Sequence, residues 1–366
     1  MKGVMKSRFE HGGNIFAVAR SLGVSPSEIL DFSANINPLG PAPGVRGALM
    51  DAFGSLVHYP DSDCTDLREA LALGHGVKPS NICVANGSTE LIYLLPRLAP
   101  GKQALVIAPS FSEYAKALLR DNIQLKHFVM ESTDGFALSL EQIGKRLNDG
   151  FELCIIGNPG NPTGRLYPLA EIKELYHLCR AAGCLLVIDE AFMDFCEEAS
   201  AKHIASFSDG ILVLRSMTKF HALPGLRLGY AFGSEGIVDR LTENRAPWSV
   251  NTPAQAAGLA SLADTDYAAA TRKMIVTERE HLSAGLAAIP GLRPFPSAAN
   301  FILVEIVHGP AAGDLAERLI GELILIRNCA NFTGLDDRFF RVAVRARADN
   351  DRLLGALASL VKISPL

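Results

Sequence analysis

In "ILVLRSMTKFHALPGLRLGYAFG" (Ile211–Gly233) two apolar runs flank a turn that carries one lysine and one arginine. Runs as uniformly apolar as "ILVLRS" (211–216) and "LRLGYAFG" (226–233) read as strands buried on both faces. Lys219 closes a Ser-x-Thr-Lys step at the end of the first run, and Arg227 follows eight residues later behind a Pro-Gly turn. A lysine in that place is either a solvated surface charge, the usual state of lysines, or an amine held in a pocket to form a Schiff base with a carbonyl cofactor.

Four more runs of the same kind lie upstream: "NICVAN" (81–86), "ALVIAPS" (104–110), "ELCIIGNP" (152–159) and "CLLVIDEAF" (184–192). Between them lie stretches with helical periodicity, such as "LAEIKELYHLCRAAG" (169–183). The alternation predicts an α/β, doubly wound fold with a mainly parallel sheet. In such a sheet ligands bind beyond the carboxyl ends of the strands. The pointed segments stand there: "NGSTE", "PSFSEY", "NPGNPTG", "DEAF" and "SMTK". From "NTPAQAAGLASL" (251–262) the pattern changes to long helices with strands such as "NFILVEI" and "FFRVAVR", which predicts a second, α+β lobe. A chain of 366 residues exceeds the usual size of one core. The expected division is a large domain over 48–250, with 1–47 and 251–366 forming an N-terminal arm and a small C-terminal domain.

With 48% hydrophobic and 20% charged residues and a net charge of -4, the chain has the composition of a soluble globular protein. No basic footprint marks it for nucleic acid or for an anionic membrane surface. No apolar run approaches eighteen residues and none follows the basic N-terminus, so a cytoplasmic location is expected. The seven cysteines are odd in number and form no C-x-x-C pair, which argues against a disulfide framework or structural zinc. The nine histidines show no ligand spacing, and no catalytic metal is predicted.

Each pointed segment has a functional and a plain reading. "VANGSTELIYLL" (84–95) runs from strand to helix through Gly87, Ser88 and Thr89: an anion site on free N–H groups, or simply a helix start. Asp189 ends an apolar strand, where a buried carboxylate needs a cationic partner. Asn161 sits on a Pro/Gly-rich loop that equally suits a turn. Phe111 is a stacking platform or a core residue.

Taken together and in order, "NGSTE", "PSF", "NPxNPTG", "DEAF", "SMTK" and "PGLRLGY" resemble the fold type I pyridoxal phosphate enzymes, the class I/II aminotransferase superfamily, over nearly the whole chain. The resemblance implies a mainly parallel seven-stranded sheet sandwiched by helices, and pyridoxal 5'-phosphate as cofactor. It implies that Lys219 carries the cofactor as a Schiff base, that Asp189 keeps the ring nitrogen protonated and that Asn161 donates to the ring hydroxyl. Phe111 then stacks on the ring, while Gly87, Ser88, Thr89, Ser216 and Arg227 take the phosphate. Tyr59 of "HYPD" resembles a tyrosine that reaches that phosphate from a neighbouring subunit, which implies a homodimer with shared active sites.

Two branches of the superfamily are resembled most, the histidinol-phosphate aminotransferases and the L-threonine-O-3-phosphate decarboxylases of cobalamin biosynthesis. "HGGN" (11–14), "LDFSANINPLGP" (30–41) and "PWSVN" (247–251) look like the decarboxylases. So does Phe192, where aminotransferases commonly carry a tyrosine. By the same resemblance Arg341 grips the substrate carboxylate and Arg327 is a second arginine of the phosphate-handling branches. His11, Ser33 and Asn35 are candidates for holding the substrate phosphate or orienting it. The expected substrate is a small phosphorylated amino acid, and the expected reaction decarboxylation of L-threonine O-3-phosphate, with amino transfer as the alternative.

Overall fold

The computed structural model describes residues 12–99, 101 and 103–361. Its strands are β1 (Leu30–Asp31), β2 (Ile82–Ala85), β3 (Gln103–Ala108), β4 (Gln124–Val129), β5 (Leu153–Gly157), β6 (Leu185–Asp189), β7 (Ile211–Ser216), β8 (Gly229–Phe232), β9 (Leu292–Pro294), β10 (Phe301–Ile306), β11 (Ile324–Leu325), β12 (Arg327–Asn328) and β13 (Phe339–Ala343).

Seven of these build one sheet in the order β2-β8-β7-β6-β5-β3-β4. Successive residues alternate between two cores: Ile82 and Val84 of β2 join one, Cys83 and Ala85 the other. The same holds for Ile156 and Ile188 against Ile155 and Val187 in β5 and β6. Because both faces are covered, the apolar residues of these strands run on consecutively and not at every second position. The covering helices bury one stripe each. Helix Leu169–Ala181 buries Ile172, Leu175, Tyr176 and Cys179, and helix Gly87–Leu98 buries Leu91, Ile92, Leu95 and Leu98.

The six apolar runs of the sequence are six of the seven strands. The seventh, β4, reads "QLKHFV" and sits at the sheet edge with only half-buried and exposed residues, so it carries no uniform apolar run. β3 to β7 pair in parallel. β8 runs antiparallel to both β7 and β2. Residues 217–228, which join β7 to β8, contain no helix, and without a crossover helix the chain returns in the opposite direction. That return loop is the one that holds Lys219 and Arg227.

A second sheet, β12-β13-β10-β9, is antiparallel throughout. Its core joins Phe301, Val304, Phe340 and Val342 to Leu282, Leu315 and Leu353 from three helices. The arm is tied to this lobe by parallel pairing of β1 with β11 and by the Ala343 N–H, which donates to the Phe32 carbonyl at 2.8 Å. All seven cysteines are buried free thiols. Among the described residues no helix is long and apolar enough to cross a membrane.

Candidate active site

β2, β5, β6 and β7 all point the same way, so their carboxyl ends and the segments that follow gather at one edge of the sheet. Asp189 is the last residue of β6 and Ser216 the last of β7, while Asn161 lies on the loop after β5. Gly87 opens a helix after β2, and Phe111 stands immediately before helix Ser112–Arg120, after β3.

Lys219 is the centre of this group. Burial, aided by the nearby Arg341 and Arg227 guanidiniums and opposed by Asp189, pushes its amine down to about 8. Asp189 is itself buried, which raises its carboxyl above the ordinary range against the pull of its two hydrogen bonds. One of these comes from the Tyr114 hydroxyl to Oδ2 at 2.6 Å, the other from the Ala191 N–H to Oδ1 at 3.0 Å.

The anion end of the site depends on two glycines. Gly87 adopts φ +77°, and a Cβ there would lie 2.8 Å from Arg227 Nη2. A Cβ on Gly229 would lie 2.3 Å from the Ser88 N. Only hydrogen at both positions lets β8 and the Arg227 guanidinium close over the helix start. Arg227 is held there in the left-handed region at φ +59°, its Nη1 donating to the Pro224 carbonyl at 3.2 Å. Ser88 and Thr89 lie half-buried in the first turn of the helix. The Ser216 and Thr218 hydroxyls, both buried, are 2.8 Å apart.

The opposite wall comes from the antiparallel sheet and the arm. Arg341 in β13 pairs in register with Arg327 in β12, so the two arginines are cross-strand neighbours. The Arg341 Nη1 donates to Asn161 Oδ1 and its Nη2 to the Ser33 carbonyl at 3.0 Å. Its guanidinium stands 5.1 Å over the Phe301 ring, and burial together with Arg327 lowers it to about 10. The Arg327 Nη2 donates to Asn331 Oδ1 at 2.7 Å. Ser33 presents its carbonyl to Arg341, because its hydroxyl donates to Asp31 Oδ1 at 2.6 Å and accepts from the Gly13 N–H at 2.9 Å. Phe192 is buried edge-on to Phe301, with ring centroids 4.9 Å apart.

One expected residue stands elsewhere, and another is not described. Tyr59 is 79% exposed and stacks on Trp248 at 4.7 Å, outside this chain's own site. His11 lies outside the described residues. Three neighbours of the site were not picked out from the sequence: Tyr114, Thr218 and Asn37. The buried Asn37 ties the arm to the lysine loop, its N–H donating to the Lys219 carbonyl at 3.0 Å and its Nδ2 to the Phe220 carbonyl at 2.9 Å. Tyr114 lies three positions after Phe111, in the first turn of the helix that Phe111 precedes, and the two rings meet edge-on. Thr218 lies inside the quoted lysine step.

The family model of aminotransferase class I and II matches residues 27–360, and the chain belongs to that family. Within it, the chain is 38% identical over 354 residues to a threonine-phosphate decarboxylase of Salmonella typhimurium, covering 96% of each. It is 32% identical over 355 residues to a histidinol-phosphate aminotransferase of Methanothermobacter thermautotrophicus, covering 96% of this chain and 94% of the other. Among solved structures, the histidinol-phosphate aminotransferase of Sinorhizobium meliloti in complex with pyridoxal-5'-phosphate superimposes with a TM-score of 0.85 at 25% identity, covering 94% of both chains.

Proposed function

We propose that this chain is a pyridoxal-phosphate-dependent carboxy-lyase that converts L-threonine O-3-phosphate to (R)-1-amino-2-propanol O-2-phosphate and CO2 in cobalamin biosynthesis. The observation that carries the reading is the half-buried Lys219, its amine lowered to about 8 and under the electrostatic influence of Arg341, Arg227 and Asp189. The residues present fit the cofactor. The Asn35 Oδ1 and Arg341 Nε are buried without a hydrogen-bond partner among the described residues, as suits groups that meet a polar ligand. The glycine-lined helix start under Arg227 suits a phosphate. When bound, the cofactor supplies an electron sink for the pair left at Cα as a bond to it breaks.

The chain's own residues then have distinct tasks. Lys219, as a neutral amine, would hold the cofactor, and as an ammonium it would return a proton to Cα in place of the lost CO2. Asp189 would pair with the cofactor's ring nitrogen, Asn161 would donate to its ring hydroxyl and the Phe111 ring would be its platform. Gly87, Ser88, Thr89, Ser216 and Arg227 hold the phosphate. The Arg341 fork grips the substrate carboxylate, with Arg327, Ser33, Asn35 and His11 toward the substrate phosphate. How these groups hold the substrate decides which Cα bond stands in line to break.

The similarity to the Salmonella decarboxylase over 96% of both chains supports decarboxylation. The matching aminotransferases support a second reading, amino transfer from histidinol phosphate to 2-oxoglutarate. Supplying threonine phosphate with no keto acid separates the two. Repeated turnover to a phosphorylated amine is expected, and consumption that stops after one equivalent per subunit until 2-oxoglutarate is added favours amino transfer.

We also infer a division into a large domain over 48–250 and a small one from 1–47 with 251–366, supported by the confinement of the two larger sheets to 82–232 and 292–343. A cytoplasmic homodimer, with Tyr59 reaching the neighbour's phosphate, completes the reading. The exposed Met50, Phe53, Leu56, Val57, Tyr59 and Trp248 support the dimer.

A further inference from the structure

Asp189 is a buried carboxylate to which, among the described residues, no guanidinium is hydrogen-bonded. Its two hydrogen bonds are the Ala191 N–H on one oxygen and the Tyr114 hydroxyl on the other. Tyr114 is 2% exposed, and Asp189 Oδ2 is the one hydrogen-bond acceptor of its hydroxyl among the described residues. The carboxylate is therefore gripped from opposite oxygens by its own loop and by the helix Ser112–Arg120. The Phe111 ring, one turn earlier, meets the Tyr114 ring edge-on at 88° with centroids 5.9 Å apart. One helical turn thus sets both the aromatic platform and the donor to the acid.

We propose that Tyr114 is a positioning residue that holds Asp189 ionised and aimed at the cofactor's ring nitrogen, an inference that rests on the function proposed above. A hydrogen bond to the charged form of a buried acid favours that form. Without the hydroxyl, burial acts on Asp189 with one donor fewer, and the neutral carboxyl it favours is a poor partner for a cationic nitrogen. The ring packing of Tyr114 is separable from this role, since Tyr114→Phe removes the hydroxyl alone.

The test is a double-mutant cycle on cofactor affinity. Cofactor-free wild type, Tyr114→Phe, Asp189→Asn and the double variant are titrated with pyridoxal phosphate, followed by visible absorbance at several pH values. Tyr114→Phe is expected to bind about tenfold more weakly at neutral pH. The gap should narrow as pH rises, because alkali restores the carboxylate that the missing donor no longer favours. In the Asp189→Asn background the same change should add little, since its effect runs through the acid. Equal affinity, a loss independent of pH, or full additivity with Asp189→Asn would overturn the proposal. Thermal unfolding of the cofactor-free proteins isolates packing: a loss of affinity that follows a loss of Tm at every pH also contradicts it. A wild type that takes up no pyridoxal phosphate fails at an earlier point, the proposed function itself.

Discussion

At the scale of single residues, Lys219 is distinguished by its surroundings and not by its chemistry. An ordinary lysine stays protonated to about pH 10, whereas burial beside two arginines brings this amine down to about 8. The neutral form is the nucleophile, so the sign follows: capture of a carbonyl rises as pH climbs through about 8 and levels off above it. Reductive trapping of pyridoxal phosphate on the cofactor-free protein, followed by mass, should show that plateau. A rate still climbing at pH 10 would mean that the amine is solvated. Lys219, Asp189 and Ser216 were legible in the sequence because a polar residue at the end of an apolar run stands out. Tyr114 and Asn37 were not, because their roles are fixed by partners 75 and 183 positions away. An aromatic in a helix and an asparagine in an arm read locally as packing and turn.

At the scale of elements, strand alternation places two different chemistries on the two sides of the sheet end. Asp189 and Ser216 face the site, while the neighbouring Glu190 and Arg215 are buried behind it. Arg215 is wholly buried and donates to Glu190 at 3.3 Å, Asp194 at 2.8 Å and Glu197. Burial raises Glu190 to about 7 even with Arg215 and Ser200 beside it. Replacing Arg215 with Met leaves three carboxylates clustered without their shared cation and should cost about 3–5 kcal/mol. Chemical denaturation of the cofactor-free protein would reveal this, and a change within ~0.5 kcal/mol, usual for surface substitutions, would contradict it. The strand runs were readable because burial on both faces leaves an unbroken apolar signature. β4 was not, because an edge strand needs no such run. The reversal of β8 was hidden too, since direction depends on a connection without a helix and not on the strand's own residues.

At the scale of the whole molecule, one face carries Met50, Phe53, Leu56, Val57, Tyr59 and Trp248, with Val57 83% exposed. An apolar patch of this kind is characteristic of an interaction surface, and the proposed homodimer would put a second copy of the chain there, with Tyr59 reaching the neighbour's phosphate. Hybrid dimers test the sharing. Tyr59→Ala and Lys219→Ala are each expected to be impaired, and mixing them after dissociation should restore activity through the sites that receive both intact residues. No recovery from verified hybrids would assign Tyr59 a role within one chain. The sequence suggested the proposed assembly only through a resemblance, because an exposed tyrosine has no local mark of a partner.

The fate of the substrate carboxylate is read by measuring CO2 against threonine phosphate consumed, with purified, pyridoxal-phosphate-loaded protein and no keto acid. One CO2 per threonine phosphate over many turnovers is expected. No CO2, together with rapid conversion of the bound cofactor to its pyridoxamine form by histidinol phosphate, would contradict it.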